Sequence, residues 1–166
     1  MRQGSFEKAK VLDNLRRQCS RREYCTSDIR KKVTDAYQKA SAADCTLEDA
    51  LSLIVESLVK DRYLSDARYA AAFARDKASL SGWGEVKIRY MLSSKGIAKE
   101  TISEALKEIE PRTASDKLER LLAAKYKLLR DDPQCRLKLL RYALGRGYSY
   151  DEISDLVEKL IRGGEE

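Results

Sequence analysis

Most of the chain repeats itself with a period of 51 residues. The stretch that ends at Gly96 aligns without a gap with the stretch that ends at Gly147, and apolar residues fall over apolar residues. The aligned apolar pairs include Ile88 with Leu139, Leu92 with Ala143, Ile102 with Ile153, Leu106 with Val157, and Ile109 with Leu160. A fainter copy lies upstream, with Ile29 and Val33 at the first two of these positions and Tyr37 in place of the glycine. Units this small bury a hydrophobic face only against their neighbours, so the repeat predicts an elongated, curved array of three tandem three-helix units.

Every unit is predicted to be helical, because apolar residues recur at the spacing of one helix face. Thr46 and Ser65 stand where N-caps are expected, and Ser27 is predicted to cap a third helix. Leu80 is placed on a buried face, Pro133 is placed in a first helical turn, and no run of residues indicates a strand hairpin. The predicted helices span residues 6–22, 27–39, 46–59, 66–80, 85–95, 99–109, 114–130, 133–147 and 150–162.

The fold class is therefore all-α. The units are predicted to span residues 1–64, 65–110 and 111–166, and Pro111 separates the last two.

Composition favours a basic protein of a reducing compartment. The 166 residues include 33 Lys+Arg and 27 Asp+Glu, so the net charge is +6, which suits an acidic partner. No apolar stretch typical of a signal peptide opens the chain, and no run approaches the ~20 apolar residues of a membrane span. We expect a cytoplasmic monomer. Its four scattered cysteines, expected to be reduced thiols, are Cys19, Cys25, Cys45 and Cys135.

The residue types needed for common catalytic sites are missing. The chain has no histidine, which excludes a Ser/His/Asp or Cys/His site, and it has no Walker-type phosphate loop. The scattered cysteines do not have the tight spacing of metal ligands, so no metal site is expected. The acidic pairs at residues 131–132 and 151–152 fall at helix ends, where carboxylates act as caps. We therefore expect no catalytic residues, no metal, no cofactor and no enzyme activity.

The glycines of residues 81–97, SGWGEVKIRYMLSSKGI, are predicted to be structural. Gly82 and Gly84 precede a helix without a preceding strand or a following Lys-Ser/Thr, so they indicate a turn rather than a phosphate loop. Gly96 is expected to end a helix in the left-handed conformation, and Gly147 to repeat that stop. Trp83 is either a loop anchor against the core or an exposed partner contact.

Two segments are strongly basic. Residues 16–32 hold seven Lys/Arg and two acids, and residues 117–146 hold nine and three. Such side chains either form solvated helix faces or bind carboxylates and phosphates of a partner. In the central unit the candidates are expected to project opposite the apolar stripe, although Arg68 has a second interpretation as a local pair with Asp66. The candidate partner or nucleic-acid contacts are Arg16, Arg17, Arg21, Arg22, Arg68, Arg75, Lys87, Arg89, Lys95, Arg136, Lys138, Arg141 and Arg146.

The central unit resembles the RecX family of recombination regulators. The resemblance rests on the run LVKDRYLSDARYA at residues 58–70, on Arg75, on the glycine pair around Trp83, and on Ile88, Leu92 and the Lys-Gly-Ile of residues 95–97. The third unit is similar to the family's final Arg-Gly-aromatic-Ser segment at residues 146–149. The first unit departs from the pattern, with Ala-Tyr-Gln at residues 36–38 where the family has Lys-Gly-aromatic, followed by a longer linker at 39–45.

This resemblance implies an elongated, all-helical, cytosolic protein that is not an enzyme. It implies binding in the groove of the RecA recombinase filament, and inhibition of RecA's strand exchange, ATPase and coprotease activities, with effects on DNA repair and the SOS response.

Three hypotheses follow. In the first, a basic concave face docks on the recombinase filament, with possible direct DNA contact, and recombinase ATP hydrolysis falls. In the second, the chain is a nucleic-acid-binding module whose binding weakens steeply with salt. In the third, it is a helical-repeat adaptor for another protein.

Overall fold

The computed structural model describes residues 3–110 and 112–163. Within these ranges the all-α prediction is confirmed: nine helices form a helical repeat, accompanied by two short strands. Pro111, predicted to separate two helices, lies outside the described residues. The elements are β1 (Gln3–Phe6), α1 (Lys8–Cys19), α2 (Thr26–Lys39), β2 (Ala40–Ala43), α3 (Leu47–Lys60), α4 (Asp66–Ser81), α5 (Glu85–Ser94), α6 (Lys99–Lys107), α7 (Thr113–Leu129), α8 (Cys135–Leu144) and α9 (Tyr150–Gly163).

The two strands correct the prediction for the first unit. β1 and β2 pair in parallel, with Ser5 opposite Ala42. The predicted helix at 6–22 therefore begins later, at Lys8, because Phe6 belongs to β1 and buries its ring against Tyr37, with centroids 5.1 Å apart. Tyr37, which replaces the repeat's glycine, also donates its hydroxyl to the carbonyl of Cys45 at 2.7 Å. Tyr37, which stands where the other two units have glycine, thus fixes the linker at residues 39–45 to the core.

Two of the predicted N-caps are confirmed. The Thr46 hydroxyl accepts from the amide of Asp49 at 3.1 Å, and the Ser65 hydroxyl accepts from the amide of Arg68 at 3.3 Å. Each satisfies one of the amides that a helix start leaves unpaired.

The Ser27 cap is wrong. α2 begins at Thr26 with Cys25 as its N-cap, and the Thr26 amide donates to Oδ1 of Asp66, at the start of α4, at 2.7 Å. The Asp66 carboxylate of the next unit thus accepts from an amide at the start of α2, the role expected of the Ser27 hydroxyl.

The start of α8 also differs from the prediction. Pro133 precedes the helix, which begins at Cys135, because the Asp132 carboxylate accepts from the amide of Gln134 at 2.8 Å and holds a turn there. The helix ends at Leu144, and the following residues form a turn in which the Gly147 amide donates to the Leu144 carbonyl at 2.9 Å.

Three clusters of buried side chains follow one another along the chain. The first is built from α1–α3 with β1, the second from α4–α6, and the third from α7–α9. Cys25, the N-cap of α2, is fully buried in the second cluster. The prediction for Leu80 is wrong: it is 70% exposed, because it lies about 200° around α4 from the buried Ala78. The small side chains Ala70, Ala74 and Ala78 form the buried stripe of α4, which packs on both α6 and α7.

The predicted helix stop at Gly96 gives a first testable prediction. Gly96 follows the C-cap residue Lys95 with a φ of +76°, and no atom lies within 4 Å of the position that a Cβ would take. A Gly96→Val substitution should therefore cost only the backbone strain of the left-handed conformation, about 1–2 kcal/mol. For a chain of this length that lowers the melting temperature by about 5 °C. Gly96→Asn should lower it less, since asparagine tolerates this conformation. A Gly96→Val protein that melts at the wild-type temperature contradicts the assignment.

Candidate functional site

The predicted site residues divide into three groups by their contacts. Some lie at the joints between neighbouring units, some form ion pairs within one unit, and the remainder are exposed with no ion pair among the described residues.

At the joint between the first two units, Lys95 reaches from the end of α5 to the first turn of α2. Its Nζ donates to both carboxylate oxygens of Asp28, at 2.8 and 2.9 Å, and lies 5.7 Å from the centre of the Tyr69 ring. Burial would raise the pKa of Asp28, but hydrogen bonds from Lys95 and Cys25 outweigh it and hold the pKa below its ordinary value. Burial likewise opposes the charge on Lys95, yet Asp28 keeps its pKa raised. A carboxylate with a lowered pKa stabilises the fold until the pH falls below that pKa, and a lysine with a raised pKa does so until the pH rises above it. Both partners are therefore charged, and the pair is intact, across neutral pH.

Arg68 belongs to the same joint. Its Nε donates to Glu23 at 2.9 Å and a terminal nitrogen donates to the carbonyl of Arg62, also at 2.9 Å. The interpretation of Arg68 as a local pair with Asp66 is wrong, because Asp66 instead accepts from the amide of Thr26. Four contacts that involve charged side chains therefore hold the first unit on the second: Lys95 with Asp28, Arg68 with Glu23 and with the carbonyl of Arg62, and Asp66 with the amide of Thr26.

Cys25 provides a probe of this joint. Its thiol is fully buried, and burial raises its pKa, so it should react slowly while the units stay together. A Lys95→Met substitution leaves Asp28 without its cation, and we expect Cys25 to react with a thiol reagent roughly fivefold faster. Labelling rates, assigned to Cys25 by mass spectrometry of its peptide, measure this. Lys107→Met is the matched control, since it removes an exposed pair with Glu104 inside one unit. An unchanged rate in Lys95→Met would show that the ion pair does not hold the joint.

At the joint between the central and third units, α4 packs on α7, and close backbone contacts connect the start of α5 to the turn after α8. The amide of Gly84 donates to the carbonyl of Arg146 at 2.8 Å, and Nζ of Lys87 donates to the carbonyl of Gly145 at 2.6 Å. A Cβ on Gly84 would lie 2.6 Å from the carbonyl oxygen of Gly147, and a Cβ on Gly147 would lie 2.6 Å from the amide nitrogen of Lys87. The start of α5 and the end of α8 therefore meet at a distance that only glycine permits.

Arg146 contributes to this joint with its side chain. Its Nε donates to the carbonyl of Ser81, at the end of α4, at 3.2 Å, and its guanidinium lies 3.7 Å from the centre of the Tyr142 ring. In the 51-residue alignment Arg146 corresponds to Lys95, so the equivalent basic residues of the central and third units each contact the unit before them. The alignment of Lys95 with Arg146 indicates a shared role for the two residues. The sequence of one unit, however, does not show which neighbouring unit the side chain contacts.

Trp83 packs between the loop and the second core. It is half-buried, with its ring edge-on to Phe73 at 6.2 Å, and the ammonium groups of Lys77 and Lys87 lie 4.9 and 4.3 Å from its ring centre. These contacts favour the interpretation of Trp83 as a loop anchor.

The expected projection of Lys87 and Lys95 away from the apolar stripe is wrong, since both side chains are half-buried at the joints.

A second group of predicted residues forms ion pairs inside one unit. Arg16 donates to Asp61 at 2.7 Å, and Arg89 donates to Glu85 at 2.6 Å. The other two pairs of this group lie in the third unit and join Arg136 to Glu158 and Lys138 to Asp132.

The remaining predicted residues are exposed and have no ion pair in the described part of the chain. Arg17, Arg21 and Arg22 form what we call the amino-terminal arginine cluster, at the end of α1 and in the turn that follows. Arg22 stacks over Tyr24 at 4.4 Å, and Arg17 donates to the amide oxygen of Asn14. The other members of this group are Arg75 and Arg141.

The described residues include no cluster of side chains with the composition of a metal site. Every residue that is buried among them is apolar, and no group of three Cys, Asp or Glu side chains could hold a metal ion. Over the same ranges, none of the helices has the length and hydropathy to cross a membrane.

Comparisons with known proteins point to one family. Residues 65–106 match the model for the second three-helix domain of RecX, and residues 115–157 match the model for the third. The chain is similar to Regulatory protein RecX of Clostridium botulinum (strain Eklund 17B / Type B), with 32% identity over 161 residues that cover 93% of this chain and 75% of that protein. It is also similar to Regulatory protein RecX of Chromohalobacter salexigens, with 28% identity over 90% of this chain and 91% of that one.

A solved structure supports the fold. The crystal structure of RecX from Lactobacillus salivarius superimposes with a TM-score of 0.70 and 22% identity, over 92% of this chain and 96% of that chain.

Proposed function

We propose, because the chain belongs to the RecX family of regulatory proteins, that it binds the RecA recombinase filament and restrains it. The proposal is that binding inhibits recombination, ATP hydrolysis and coprotease activity, and thereby affects DNA repair and the SOS response. The observation that carries it is the match to the second and third RecX domains, together with 32% identity over 161 residues to a Regulatory protein RecX.

The joints support a partner with an extended surface. Each unit is fixed to the next through specific contacts, Lys95 with Asp28 at one joint and Gly84 with Arg146 at the other. A row of coupled units presents contacts over a long distance, as helical-repeat proteins do with extended partners. A filament groove is such a partner.

The proposal includes a cytoplasmic monomer without catalytic activity. The four cysteines are free thiols, which fits a reducing compartment. No charged side chain is buried among the described residues, and the proposal is that regulation rests on binding alone.

Direct DNA contact is a second element of the proposal. The amino-terminal arginine cluster consists of three exposed arginines within six residues, none of which has a carboxylate partner in the described structure. Guanidinium groups bind phosphates in this way, and such binding weakens steeply as salt is raised. We propose that this cluster faces the DNA or acidic side chains of the filament.

Co-sedimentation tests the proposed function. The protein is mixed with RecA filaments of the same organism on single-stranded DNA, with the naked DNA, and with neither. We expect it to sediment with the filaments at salt concentrations where it no longer sediments with naked DNA. Equal binding to naked DNA would favour the nucleic-acid module, and no binding to either would favour an adaptor for another protein.

A further inference from the structure

The second helices of the central and third units expose large apolar side chains to solvent. In α5, Val86 is 69% and Tyr90 71% exposed, and in α8, Leu137 is 42% and Leu144 43% exposed. An apolar side chain that stands alone on a surface needs no explanation, but a set that lies together marks a contact site.

These residues share a helix face and a repeat position. Val86 and Tyr90 are four residues apart, and Leu137, Arg141 and Leu144 follow at spacings of four and three, so each set lies along one side of its helix. Val86 aligns with Leu137 in the 51-residue repeat, and both are exposed. Two successive units therefore present an apolar residue at the same place.

The two faces adjoin at the joint between the units. Leu144 directly precedes Gly145, whose carbonyl accepts from Lys87, and Val86 directly precedes Lys87. The end of α8 therefore lies next to the start of α5. Each helix has ten residues and is about 15 Å long, so a surface that includes both has the dimension of a protein–protein contact rather than of a small ligand.

We infer that this surface, which we call the second-helix stripe, docks the protein subunits of the filament; the inference rests on the proposed function. The stripe consists of Val86, Tyr90, Leu137, Arg141 and Leu144. The occupant is a protein surface with apolar side chains beside a carboxylate, because Arg141 lies between Leu137 and Leu144 and forms no ion pair with any described residue. DNA does not fit, since phosphate contacts need several cations and this stripe holds one.

A matched pair of triple variants tests the inference. Val86→Ser with Leu137→Ser and Leu144→Ser removes the apolar stripe. Leu53→Ser with Val59→Ser and Leu128→Ser is the control, since it also replaces one valine and two leucines that are exposed, by 47%, 52% and 86%. We expect the stripe variant to bind RecA filaments at least about tenfold more weakly in co-sedimentation, and the control within about twofold of the wild type. Circular dichroism melting checks that both remain folded.

The outcomes separate this inference from the proposed function. Wild-type protein that does not bind filaments overturns both. If the wild type binds and the stripe variant binds equally well, or if both triple variants lose binding equally, the stripe is not the docking surface and the proposed function stands. An Arg141→Glu variant should lose filament binding about tenfold and keep its binding to naked single-stranded DNA. An equal loss on naked DNA would assign the stripe to nucleic acid and overturn the inference.

Discussion

Gly147→Ala should destabilise the protein by about 3 kcal/mol or more, whereas Gly96→Ala at the equivalent repeat position should cost about 1 kcal/mol. Both glycines have a positive φ, +86° and +76°, so both substitutions strain the backbone. Only Gly147 meets another unit: its Cβ would lie 2.5 Å from the Cβ of Lys87 and 2.6 Å from the Lys87 amide nitrogen. Relief of that overlap requires the central and third units to separate.

Thermal unfolding followed by circular dichroism measures both variants. For a chain of this length the difference of about 2 kcal/mol corresponds to roughly 6 °C. Because the two glycines occupy the same place in the repeat, the loss of stability in Gly96→Ala measures the backbone strain alone. The additional loss in Gly147→Ala then measures the overlap between the units. Equal melting temperatures for the two variants would show that the joint is not packed as closely as the structure indicates.

Reversal of the amino-terminal arginine cluster should have the largest effect on function. In the variant with Arg17→Glu, Arg21→Glu and Arg22→Glu, we expect the concentration that gives half-maximal inhibition of RecA ATP hydrolysis to rise at least about tenfold. The reason is that three exposed cations without carboxylate partners among the described residues become anions, which the phosphates or carboxylates of the proposed partner would repel. None of the three holds a joint, so the melting temperature should stay within a few degrees of the wild type.

The matched control reverses three exposed lysines outside the predicted site, at Lys60, Lys99 and Lys107. It changes the net charge by the same amount. If it weakens inhibition as much as the arginine triple does, net charge alone accounts for the effect and the cluster has no special role.

The helices can be predicted from the sequence because their signals are local. Apolar spacing, the hydroxyl caps of Thr46 and Ser65, and the glycine stops each depend on residues within one or two turns. The strands were missed because β2 has the sequence ASAA, which carries no apolar alternation, and because its pairing with β1 spans 37 residues, from Gln3 to Ala40. Such pairing depends on the packing of Phe6 on Tyr37 rather than on any local pattern.

The basic residues of the site could be found from sequence, but their roles could not be separated. The partners of Arg16, Arg68 and Lys95 lie 45, 45 and 67 residues away along the chain. No local pattern distinguishes such residues from the exposed arginines that have no ion pair in the described structure. The second-helix stripe was missed for a related reason, since exposure depends on which helix face the neighbouring units leave uncovered.

The most direct test of the central proposal is a titration of RecA ATP hydrolysis on single-stranded DNA with this protein. RecA of the same organism is assembled on the DNA, and the steady-state rate is measured as the protein is added. We predict that the rate falls with increasing protein and saturates at a low value. A rate that stays unchanged at excess protein, under conditions where the protein is folded, would contradict the proposal.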